Sequence, residues 1–172
     1  GFPLYVPGPP GHLPAEYRRH GVAIGDVGRV TPEGKFDFFF NIYLPADHPI
    51  NGNFVPQNFC PLTPYTLRDV FYLDYEPGNY VSTSSIHKLD LDSPLDEFPG
   101  GDFIFICEAP EGTVLALPHG AHLKKLENLD TVRRYAAMHA EDWYKYVNGP
   151  RGRGLANGSL YLVTGCEKAP SW

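Results

Sequence analysis

Proline and glycine, 18 of each in 172 residues, interrupt this chain so often that regular structure has little room to run. Ordinary sequences carry roughly 12% of the two combined, and here they make up about a fifth without the repetition of a low-complexity segment. Long ordered loops are therefore expected. Hydrophobic residues at 42% and charged residues at 20% are enough to build a core, and the length fits a single domain spanning 1–172. The net charge of −6 argues against a face for duplex nucleic acid. Cys60, Cys107 and Cys166 are widely spaced and odd in number, which suggests free buried thiols. No apolar run approaches the roughly 20 residues of a membrane helix, and the N-terminus is too proline-broken for a signal segment. A soluble, cytoplasmic protein is the expectation. The chain ends just after a strand-like run, which fits a fragment of a longer protein.

Residues 1–16 carry five prolines and several aromatics and suggest an extended surface arm with its apolar side chains tucked in. Two β-type runs, 22–30 and 35–43, flank Thr31-Pro32-Glu33-Gly34, the clearest hairpin in the sequence. The second run is apolar on both faces, as in a strand covered on both sides. Six prolines between 44 and 79 suggest an ordered meander with one helical turn near 67–71. Residues 80–91 read as a half-exposed strand, and 102–107 with 113–117 as a second hairpin. Leu126, Leu129, Val132, Ala136, Ala140, Trp143 and Val147 step by three or four and predict one amphipathic helix over about 129–147. Asp130 with Arg134 and Glu141 with Lys145 add acid-before-base pairs four apart. Asn148-Gly149-Pro150 offers a left-handed cap and then a breaker. A last strand over 159–165 completes an α+β domain, with the helix packed on a mostly antiparallel sheet.

Four groups of side chains could carry chemistry. In a hairpin with a four-residue turn, Gly28 lies opposite Asp37 and Asp26 opposite Phe39. The two carboxylates are then diagonal neighbours, a paired-acid arrangement for metal or acid–base work. A slip of one residue separates them, and the structural alternative gives Asp26 to a turn or bulge between Gly25 and Gly28. His119 and His122 have a spacing that fits zinc only if His87, His139 or an Asp supplies a third ligand. Loop imidazoles bonded to backbone are the alternative. Arg151 and Arg153 sit in a Gly-rich segment that resembles a phosphate loop but follows a helix C-terminus, so they cap that end or bind a partner's carboxylates. Tyr5 and Tyr43, together with Tyr65, Phe71, Tyr72 and Tyr75, are the aromatics that suit ligand stacking.

Leu4-Tyr5-Val6-Pro7, Gly25-Asp26-Val27-Gly28, Phe36-Asp37-Phe38, Asn41-Ile42, Pro45-Ala46-Asp47, Tyr144-Lys145-Tyr146-Val147-Asn148-Gly149 and Leu162-Val163-Thr164-Gly165-Cys166 occur together. As a set they resemble a large uncharacterised family of basidiomycete fungal proteins, over essentially the whole chain. The resemblance implies a cytoplasmic fungal protein that continues past this segment, and loosely a role in recognition or defence. It assigns no catalytic residue. The leading expectation is a non-catalytic recognition module for a protein or small-molecule ligand, with no cofactor. The alternative is a metal-dependent hydrolase, such as a nuclease, that uses a divalent metal at Asp26/Asp37 or His119/His122. An oligomerisation domain is a third reading.

Overall fold

The computed structural model describes residues 2–89 and 104–170. Among them the fold is α+β, with ten short strands and one long helix. The chain divides into two compact units, Gly1–Phe71 with Lys124–Cys166, and Tyr72–Leu123 with Glu167–Trp172.

In the first unit, the expected turn forms as read. The Thr31 N–H donates to the Lys35 carbonyl at 2.8 Å, and Gly34 adopts φ +74°. It joins β1 (Asp26–Val30) to β2 (Phe36–Asn41). The register departs from the expected one at the turn, which sets Val30 opposite Phe36 rather than Lys35, and a bulge between Val27 and Gly28 shifts the ladder once more. Asp26 pairs with Asn41, and Arg29 with Asp37. The other edge of β1 pairs with β9 (Tyr161–Leu162), giving the order β2-β1-β9.

The phenylalanines of β2 serve two apolar clusters. Phe39 and Phe40 enter the main core, while Phe36 and Phe38 pack with Tyr17. The main helix, α2 (Leu129–Asn148), lies over the main core with Val132, Tyr135, Trp143 and Val147 buried. The Trp143 ring meets Phe40 edge-on at 5.7 Å. Both anticipated ion pairs are present, Asp130–Arg134 at 3.1 Å and Glu141–Lys145 at 2.7 Å. Gly149 is not left-handed, with φ −86°; the last carbonyls are instead met by the backbone N–H groups of Gly149, Arg151 and Arg153.

The proline-rich arm ends in a short helix that the sequence did not announce, α1 (Ala15–His20). Leu4 and Leu13 tuck into the Tyr17 cluster, whereas Phe2 and Tyr5 stay exposed. Residues 42–66 form the meander, followed by a 3-10 turn at Leu67–Asp69 and then an unexpected strand, β3 (Val70–Tyr75).

In the second unit, β4 (Asn79–Ser82) pairs with β7 (Val114–Leu117), and β5 (Ile86–Leu89) with β6 (Ile104–Cys107). The anticipated hairpin between β6 and β7 is therefore absent. Both strands instead follow the earlier pair, and residues 108–113 bulge out opposite 83–85 of a single interrupted ribbon. Pro110 and the crowding of Gly112 against Ile86 and Cys107 fit that excursion better than a tight turn. Residues 90–91 and 102–103 of the expected strands lie outside the described residues.

The run at 159–165 also splits. After β9 the chain enters β10 (Gly165–Lys168), which joins β8 (Ala121–Leu126) and β3 in a second sheet of order β10-β8-β3. The three cysteines are free, as expected, but Cys60 and Cys107 are exposed rather than buried. No helix among the described residues is long and apolar enough to cross a membrane.

Candidate functional site

Asp26 opens β1 directly after Gly25 and is only 1% exposed. A carboxylate taken so far from water must be compensated by fixed donors. Three are in place. The Tyr17 hydroxyl and the Ala23 N–H donate to Oδ2 at 3.0 and 2.8 Å, and the Asn41 side-chain amide donates to Oδ1 at 2.8 Å. The bulge-shifted register is what sets Asn41 opposite Asp26.

Asn41, 4% exposed, extends the network. Its amide also donates to the Ile24 carbonyl at 3.1 Å, and its Oδ1 accepts the Tyr43 N–H at 2.9 Å. The Asn41 N–H in turn donates to Asn51 Oδ1 at 2.8 Å. From the meander, the Asn51 amide reaches back to the carbonyls of Asn41, Leu44 and Pro45 at 2.9–3.1 Å. One buried side chain thus organises a loop that has no secondary structure of its own.

Beside this network is a cavity of about 280 Å³. Its polar wall includes His20, Asp26 and Asn41; its aromatic wall is Tyr17, Tyr43 and Tyr65; the rest is chiefly Ile24, Leu44, Ile50 and Pro64. The Tyr43 and Tyr65 rings meet edge-on at 5.0 Å. Gly25, at φ +91°, has no room for a side chain because a Cβ would run into the Tyr43 ring. Burial raises the Tyr17 phenol well above its ordinary value, and the adjacent Asp26 charge and hydrogen bond raise it further. Burial, reinforced by Tyr65 and Asp69, pushes Tyr43 up to about 12. Both remain neutral phenols at physiological pH. The arrangement offers a ligand a half-open pocket with aromatic and aliphatic walls beside a buried carboxylate.

The other sequence candidates are distributed elsewhere. Asp37 accepts from Arg29 Nε at 3.1 Å and from an Arg153 Nη at 3.3 Å. Arg153 lies 5.9 Å from the Phe39 ring centroid, and Arg151 lies 5.6 Å from that of Phe54. His122 is paired with Asp74 at 2.6 Å on an exposed surface, and His119 occupies the preceding turn. Among the described residues no group of three or more His, Cys, Asp and Glu side chains is placed to hold a metal ion. Of the aromatics singled out in 65–75, Tyr65 lines the cavity; Phe71 and Tyr72 are exposed on β3, with Tyr75 half-buried at its end.

Sequence reasoning missed Tyr17, His20, Asn41 and Asn51 as site residues. The only local signal was polar: an Asn ending a run of phenylalanines has no reason to be there unless its amide is used. Comparison with protein-family models, curated proteins and solved structures found no match.

Proposed function

We propose that this chain is a non-catalytic recognition module that takes a small ligand into the cavity beside Asp26. The observation that carries this reading is the way Asp26 is held. Its oxygens are occupied by donors from Tyr17, Ala23 and Asn41, which leaves a charge that can attract but a carboxylate poorly placed to abstract a proton or ligate a metal. Aromatic and aliphatic walls around a few fixed polar groups are the usual make-up of a small-molecule site. The engagement of Asp37 by two arginines likewise supports recognition over the metal-dependent hydrolase. The family resemblance adds a fungal, cytoplasmic setting to the proposal.

The test is a thermal-shift screen of polar metabolites run in parallel on the native chain and on Leu44→Trp, which fills the cavity from a half-buried wall position. A ligand at 100 times its dissociation constant adds about 2.7 kcal/mol to stability. Stabilisation lost in Leu44→Trp supports the reading. Hits that stabilise both proteins equally, or none at all, would sink it.

A further inference from the structure

Resting on that reading, we infer that the cavity recognises a methylated ammonium group, a cation that carries charge but offers little or no hydrogen bonding. Three tyrosine rings, Tyr17, Tyr43 and Tyr65, line the cavity together with one buried carboxylate; among the described residues His20 is the one basic side chain in its wall, and no Lys or Arg lines it. Aromatic rings around a site of negative potential attract cations through the ring quadrupole, most strongly where water is excluded.

The hydrogen bonding of Asp26 selects among cations. A primary ammonium brings three N–H donors that need acceptors, and a divalent metal needs bare oxygens at about 2–2.6 Å. Asp26 Oδ2 already receives two donors and Oδ1 a third. An ammonium whose hydrogens are replaced by methyl groups needs none of those lone pairs. It gains from the field of the carboxylate and from contact with the rings, while its methyl groups suit the aliphatic remainder of the wall, Ile24, Leu44, Ile50 and Pro64. The volume of about 280 Å³ falls just below the roughly 300–1,000 Å³ of sites for drug-sized molecules, which fits a headgroup rather than a large cofactor.

Such a group occurs on free metabolites and on methylated lysine side chains, and the test separates the two. Calorimetric titration of the whole chain uses choline, Nε-trimethyl-lysine, and 3,3-dimethylbutan-1-ol, the neutral carbon isostere of choline. The expected result is saturable binding of at least one quaternary probe, with the neutral isostere at least about tenfold weaker. Tighter binding of choline assigns a free alkylammonium, and tighter binding of trimethyl-lysine assigns a methylated side chain. Tyr65→Leu, which removes one half-buried ring, should weaken the quaternary probe by about three- to tenfold and leave the circular-dichroism spectrum unchanged. Equal affinity for choline and its isostere overturns the inference while leaving the cavity as a binding site. Silence from all three probes also overturns it, and the Leu44→Trp comparison in the metabolite screen then decides the cavity on its own.

Discussion

Asn41 faces Asp26 across the β1–β2 ladder and donates its side-chain amide to Asp26 Oδ1 at 2.8 Å, both residues being buried. The pair exists because of the bulge at Val27/Gly28. Without the bulge the same ladder would set Asp26 opposite Phe40, and its charge would lose the Asn41 donor. Core, loop and cavity meet at this contact: Asn41 also fixes Asn51 and thereby the meander, and Asp26 also holds Tyr17 and thereby α1.

Asn51→Ala should destabilise the protein by about 1–3 kcal/mol, the cost of leaving the buried Asn41 N–H and several carbonyls without partners. Urea unfolding followed by tryptophan fluorescence measures it. A loss below about 0.5 kcal/mol would mean that the meander is held by something other than this side chain.

Gly25→Ala should be more harmful than an ordinary glycine substitution. The residue would have to hold φ +91° and also displace the Tyr43 ring from the cavity wall. A drop of several degrees in melting temperature is expected, whereas Gly158→Ala, at φ +85° but in open space, tests the backbone strain alone. Equal losses in the two variants would show that the clash with Tyr43 is relieved at no cost.

The ion triad of Asp37 with Arg29 and Arg153 connects the hairpin to the segment after α2 and is partly shielded from water. Asp37→Ala should cost more than Arg153→Ala, because it leaves two cations facing each other. A double-mutant cycle should return a coupling of about 0.5–1.5 kcal/mol between Asp37 and Arg153. Additive effects would reduce the contact to a surface pairing without energetic weight.

Alkaline pH should unfold the protein through its buried phenols. Tyr43 and Tyr135 are pushed up to about 12 from 10.0, in both cases chiefly by burial, and Tyr17 moves in the same direction. In the unfolded chain these tyrosines ionise near pH 10, while in the native state they keep their protons. Stability is therefore fully present below pH 10 and falls between about pH 10 and 12. Each such group lowers it by up to about 1.4 kcal/mol per pH unit. Denaturant titrations at pH 8, 10 and 11 check the slope, and a flat profile would contradict the burial of the phenols.

Elements legible in the sequence were those whose evidence lies within a few residues. The helix over 129–148 follows from side chains three and four apart; even so, Tyr135, which donates its hydroxyl to the Cys60 carbonyl at 2.6 Å, lay outside the expected stripe. The turn at 31–34 carried its own glycine at the position that needs a positive φ. The strands at 104–107 and 114–117 were also recognisable, but their partners were not. Alternation shows that a segment is extended and says little about which edge it will meet.

The candidate site was legible only in pieces. Asp26 and Tyr65 stood out, one as a carboxylate in a β run and the other as an aromatic among prolines, yet nothing local joined them. Of the two readings the sequence offered for Asp26, the pairing with Asp37 gives way, because Arg29 takes Asp37, and the bulge between Gly25 and Gly28 forms and sets Asn41 opposite Asp26.

By itself the sequence determined an α+β chain with one long amphipathic helix, a sharp first hairpin and a proline-rich loop, because periodicity and turn chemistry act over short separations. Tertiary structure decided the bulge, the strand partners and the Tyr17–Asp26–Asn41–Asn51 network. Each depends on residues brought together from distant positions, where burial turns an ordinary polar side chain into one that must find a particular partner.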